Sequence, residues 1–255
     1  MSDALERALA FMRELEDQAA ERIEPCAHGV ALFHDRLPLV RDLNFVRVEP
    51  PEVVSPKELA DEAERIQSTL RHRRVDVVGE EAARLLEPGF SALGWKTERH
   101  VVMIHHRPAR RSRDLSLVRE VDTETLRAVW TEGIRRDLPH VGEEVVRQLV
   151  EHKLVIERAV SVRRFAAVVE DELASFADLY SAGGVGQIEA VLTLERFRNR
   201  GLASAVVLKA LAESQATGNE LTFLVADADD WPQHLYARLG FETVGAYSRF
   251  LKEPA

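Results

Sequence analysis

The 255-residue chain predicts a mixed α/β fold, a mainly antiparallel central sheet flanked by helices. Three observations carry that prediction. From about residue 115 the apolar residues alternate in short runs, then switch to helical spacing, and switch back. Glycine and polar turn residues punctuate the runs. A weaker copy of the same order can be laid over the first half of the chain.

Each element has a local reason. Near the start, Leu5, Leu9, Met12, Leu15, Ala19 and Ile23 recur at helical spacing behind Asp3, a candidate cap. That stretch is charged throughout, so it reads as neither a signal peptide nor a membrane span. Further on, residues 115–121 read as a strand. A helix over 123–136, capped by Asp122 or Thr123, and a second over 142–153 follow it. Residues 159–170, 172–180 and 186–194 read as three strands, with 181–184 as a hairpin tip. Then come a helix over 201–216, a strand over 220–226, a short helix over 231–239 stopped by Gly240, and terminal strands forming a final hairpin between 241 and 251.

The segment HRPARRSR, residues 106–113, has no apolar periodicity and reads as a solvated interdomain linker, with an anionic partner as the alternative, giving domains over 1–112 and 113–255. An offset of 146 residues lays GFSALGW (89–95) on LYARLGF (235–241). The same ungapped offset puts 73–78 on the strand before it, 58–70 on the helix at 204–216, and 41–48 on 187–194. Chemistry diverges in this register: Arg198, Gly201 and Ala203 fall on Glu52, Ser55 and Lys57, Tyr236 falls on Phe90, and Asp229 on Ala83.

Composition narrows the class. Hydrophobic residues at 45% and charged residues at 30% suit a soluble globular protein. A net charge of −9 argues against general nucleic-acid affinity. Cys26 is the single cysteine, so no disulfide framework exists and the cytoplasm is the expected compartment. His105 and His106 are adjacent on a strand and point to opposite faces, and neither H-E-x-x-H nor C-x-x-C occurs, so no metal is expected.

The stretch RFRNRGLASAVV (196–207) follows a strand and opens a helix. Its small residues at 201 and 203 leave the helix's first amides accessible, and Arg198 and Arg200 add forked donors. A diphosphate suits such a turn; a merely basic helix start reads equally from these residues alone. In ADADDWPQHLYARLGF, Tyr236 sits beside the inward-facing Leu235, either at a cleft edge or on the surface of an amphipathic helix.

The order strand, R-x-x-G-x-A, helix, strand, LYxxLGF and final hairpin resembles the GNAT superfamily of acyl-CoA-dependent N-acetyltransferases, over roughly 115–255, with a degenerate copy before it. The resemblance implies two GNAT-like domains and acetyl-CoA as co-substrate. Arg198, Asn199, Arg200, Gly201, Leu202 and Ala203 would hold the coenzyme A diphosphate. Val191, Leu192 and Thr193 would pair with its pantetheine arm. Tyr236 would act as general acid. Glu189, which strand alternation puts on one face with Val191 and Thr193, would act as base; from the residues alone it reads equally as facing solvent or a cross-strand arginine such as Arg163 or Arg164. Asp229 stands where the family often has a cofactor-contacting asparagine, which leaves that contact in doubt. His140 falls near the family's acceptor pocket, and Trp130 reads as core. The expected partner is a small-molecule or peptide amine, with no nucleic acid or membrane, in a monomer or homodimer. The alternatives are a non-catalytic acyl-CoA sensor and an interaction module.

Overall fold

The computed structural model describes residues 2–48, 54–109 and 113–253. Glu52, the repeat counterpart of Arg198, and residues 110–112 of the basic linker lie outside them. The chain divides into two compact units. The amino-terminal unit comprises Met12–Val101, Asp227–Asp229 and Gly245–Ala255. The carboxy-terminal unit comprises Met1–Phe11, Val102–Ala226 and Asp230–Val244. The units therefore interleave along the sequence instead of dividing between residues 112 and 113.

The first helix, α1 (Asp3–Ala19), is capped by Ser2, whose Oγ accepts from Leu5 N at 3.3 Å; Asp3 is already its first residue. Ile23 lies beyond it in a strand. In the amino-terminal unit, β1 (Arg22–Cys26), β2 (Gly29–Phe33), β3 (Phe45–Val48), α2 (Pro56–Ile66), β4 (Arg73–Val78) and α3 (Glu80–Ala92) follow in order. Strand β3 runs parallel to β4, and the β1–β2 and β2–β3 pairs are antiparallel. Strand β5 (Lys96–His105) passes from this unit into the other. The core here includes Leu59, Ala63, Val75 and Phe90, with Phe90 stacked on Phe250 at 4.1 Å.

The carboxy-terminal unit contains β6 (Val118–Val121), α4 (Thr123–Asp137), α5 (Glu143–Ala159), β7 (Ser161–Val169), β8 (Glu172–Ala182) and β9 (Val185–Thr193). Then come α6 (Leu202–Ala216), β10 (Leu221–Asp227) and α7 (Pro232–Arg238). Asp122 caps α4 through Thr125 N at 2.8 Å, as the sequence suggests. Antiparallel pairing runs β6–β7–β8–β9, and β10 lies parallel to β9. Trp130 is buried with Leu126, Val150, Ala166 and Phe176 between the two helices and the sheet, where the sequence places it.

The chain ends in one strand, β11 (Phe241–Lys252), not the expected hairpin. Gly245 does not adopt the left-handed φ of a tight hairpin turn. Instead Tyr247–Lys252 continue straight on and pair antiparallel with Arg73–Val78. That continuity is the physical reason the units interleave.

The repeat register holds for the helices and fails at one strand. Residues 56–66 of α2 fall on 202–212 of α6. Phe90 meets Trp95 edge-on at 67°, and their counterparts Tyr236 and Phe241 meet edge-on at 66°. Gly94 and Gly240 are both left-handed. The parallel strands differ. Val46 pairs with Val75, 29 residues on, whereas Val185 pairs with Leu221, 36 residues on. Strand β3 is thus seven residues out of the ungapped register, so 41–48 do not correspond to 187–194. The additional length in the second copy lies between the paired part of β9 and α6.

Candidate active site

That additional length builds a cleft. The β9–β10 ladder ends at the Ile188–Leu224 pair, while β9 continues to Thr193. Burial changes at the same point: Val185–Ile188 are buried and 189–193 half-buried. Beyond Ile188 the edge of β9 is free of the β10 ladder and can accept an extended ligand as an added strand.

A bulge accompanies the divergence. Phe176 pairs with Leu192 and Asp178 with Glu189, so Ala190 and Val191 together oppose Ala177. Ala190 carries the strain, with φ 53°. The bulge corrects the expected strand faces. Side chains alternate along β8, so Phe176 and Asp178 share a face, as do their partners Leu192 and Glu189. Glu189 therefore shares its face with Leu192 and not with Thr193.

Between β9 and α6 the chain makes a 3-10 turn at Glu195–Phe197 and enters a loop of alternating hand. Asn199 has φ 62° and Gly201 φ 79°, both left-handed, with Arg200 between them. Such alternation aims successive amides into one concavity. No side chain caps α6, and its first intrahelical acceptor is Gly201 O, bonded by Ala205 N at 3.1 Å. The amides of Leu202, Ala203 and Ser204 therefore have no partner within the helix and sit at the positive end of its dipole.

These elements surround a cavity of about 720 Å³. Of the sequence-predicted residues, Val191, Leu192, Thr193, Arg198, Asn199, Gly201, Leu202, Ala203 and Tyr236 line it. Arg200 does not; its guanidinium stacks on Phe197 at 5.3 Å. Asp229 is also absent from the lining and lies in a turn closed by its amide on Asp227 Oδ1 at 2.8 Å. Sequence reasoning missed Arg113, Trp231 and Arg238. Trp231 is 60% exposed, a large apolar surface left at the cavity rim. Among the described lining residues three are arginines and none is acidic, in a chain with 43 acidic and 34 basic residues. An anion is the complement of that lining.

Helix α7 delivers Tyr236. Gly240 terminates it with φ 98°; a Cβ there would stand 1.7 Å from Arg107 O, so only glycine fits. Tyr236 is 7% exposed, and burial together with the Glu189 charge pushes its phenol up to about 12. Glu189 itself is not among the residues that line the cavity. The Glu189 carboxylate accepts from Gln187 Nε2 at 2.7 Å and Ala190 N at 3.3 Å. Arg163 and Arg164, its candidate cross-strand partners, are engaged elsewhere: Arg163 with Glu120 and Glu213, Arg164 with Glu157 and Thr123. Asp178, the cross-strand neighbour of Glu189, is fully buried with Arg164 Nε at 3.9 Å, and burial raises its carboxyl. His140 is exposed between α4 and α5. Among the described residues no group of three His, Cys, Asp or Glu could hold a metal, and no helix is long and apolar enough to cross a membrane.

Comparison with known proteins bears on the fold. Residues 167–250 match the family of FR47-like proteins. No curated protein matches the sequence. A functionally unknown conserved protein from Staphylococcus epidermidis ATCC 12228 is similar in structure, with TM-score 0.71 at 16% identity over 92% of this chain and 95% of that one. A GCN5-related N-acetyltransferase from Kribbella flavida gives TM-score 0.65 at 20% identity over 100% and 97%. A tandem GNAT protein from the clavulanic acid biosynthesis pathway gives 0.52 at 14% over 77% and 69%. At these identities the likeness is one of fold.

Proposed function

We propose that this chain, a protein of the two-domain GNAT fold, is an N-acetyltransferase that moves the acetyl group of acetyl-CoA to a primary amine. One observation carries the reading: a cavity with a bare helix terminus and no lining carboxylate, bordered by a buried tyrosine. The residues present fit the co-substrate. Gly201 takes the left-handed φ of 79° that turns the chain into α6, and the amides of 202–204 with Arg198 suit a diphosphate. The free edge of β9 at 191–193 suits the amide-bearing pantetheine arm.

When bound, acetyl-CoA supplies an acyl group activated as a thioester. The chain supplies position and protons. Glu189, beside the bulge, takes a proton from the incoming ammonium, directly or through water. Tyr236 holds its proton at Oη up to about pH 12 and gives it to the departing thiolate. Cys26 belongs to the amino-terminal unit, and the reaction is direct attack without an acyl-enzyme.

The test is consumption of acetyl-CoA against a panel of small and peptide amines, with Tyr236→Phe beside the unaltered chain. Turnover with at least one amine, reduced about a hundredfold in the variant, supports catalysis. Binding of coenzyme A without turnover on any amine would make the chain a sensor instead.

A further inference from the structure

We propose that Arg113, five residues ahead of β6, is a third arm of the phosphate site and contacts the diphosphate of coenzyme A. The proposal rests on the coenzyme A reading of the cavity and adds a residue from outside its sequence motif.

Arg113 lies 88 positions before Gly201 in sequence yet covers it in space. A Cβ built on Gly201 would meet Arg113 Nη1 at 3.4 Å, Cζ at 3.5 Å and Nε at 3.7 Å. Three near-equal distances mean that the guanidinium lies face-on across the glycine. A Cβ at position 201 would lie against it at ordinary van der Waals distance.

Charge gives a second, separate argument. Arg47, Arg74, Arg147 and Arg163 each sit on at least one carboxylate. Arg113 has no carboxylate within ion-pair distance among the described residues, and neither do the other cavity arginines, Arg198 and Arg238. Three uncompensated cations converge on one cavity, one of them over amides at the positive end of a helix dipole. Like signs repel there until an anion enters. A diphosphate between the guanidinium and the loop amides would satisfy both, through a forked contact that a lysine cannot reproduce.

The experiment is calorimetric titration of coenzyme A and dephospho-coenzyme A into the unaltered chain, Arg113→Ala, and Arg119→Ala as a control for lost charge. The exposed Arg119 sits outside the cavity. Arg113→Ala is expected to weaken both ligands by the same factor, about tenfold. It should also flatten the salt dependence, while Arg119→Ala stays within about twofold. Affinity within twofold of the unaltered chain overturns the proposal and leaves the coenzyme A reading standing. Weakening of coenzyme A alone overturns it too, since Arg113 would then serve the 3′-phosphate. No binding of either ligand by the unaltered chain brings down the coenzyme A reading, and this proposal with it.

Discussion

The two helices α2 and α6 occupy matching places in the two copies, and their first turns are finished in opposite ways. Ser55 closes α2 with a reciprocal capping box: its Oγ accepts from Glu58 N at 3.2 Å, and Glu58 Oε2 accepts from Ser55 N at 3.2 Å. Gly201, its counterpart, has no side chain to cap with and leaves the α6 amides to the cavity. The strands repeat the contrast. The β3–β4 ladder reaches Val48, the last described residue of β3, whereas the β9–β10 ladder stops at Ile188 with five residues of β9 to go. Phe90 fills core against Phe250, while Tyr236 keeps a hydroxyl beside open space. One copy spends its polar groups on itself. The other leaves them to a cavity, the candidate site.

This contrast can be broken from either side. Phe90→Ala should cost about 4 kcal/mol of stability, because a stacked, fully buried ring leaves a cavity. Chemical denaturation would read it. Tyr236→Phe should leave the unfolding midpoint nearly unchanged and lower kcat about a hundredfold, about 2.7 kcal/mol of barrier. In the unaltered chain the alkaline limb should not appear below about pH 12, since the raised phenol keeps its proton until then. A sharp fall near pH 10 in the unaltered chain would show an ordinary, unburied tyrosine instead.

Gly201→Ser gives the second copy the residue of the first. A side chain at φ 79° costs about 1–2 kcal/mol and would occupy the space against Arg113 and the loop amides, so both stability and coenzyme A affinity should fall. Ser55→Ala is the converse: about 1 kcal/mol of stability lost with the cap, and acetyl transfer untouched. Smallest is a titration. Burial lowers His72 to about 4, with Asn44 O accepting at 2.8 Å. A depressed histidine stabilises the fold above its unfolded value near 6.5, and that contribution is lost as pH falls through about 4. The imidazole NMR signal should therefore titrate near 4, and His72→Gln should flatten stability between those pH values.

Much of this was legible in sequence because it is written in local chemistry. Asp122 announces α4, the RNRGLA turn announces an open helix end, and LYARLGF announces a helix stopped by an obligatory glycine. What stayed hidden depends on distant partners. The bulge at Ala190 carries no glycine or asparagine to mark its positive φ, so simple alternation put Glu189 on the wrong face. Strand β11 reads as a hairpin until β4 is there to pair with its second half. Arg113 stands in a basic run that reads as solvated linker, and only the folded chain lays it on Gly201.

The most direct test of the central claim is the calorimetric stoichiometry of coenzyme A. The account predicts one molecule per chain in the unaltered protein and loss of that binding in Gly201→Ser. Two molecules per chain, or one bound equally well after the serine is installed, would contradict it.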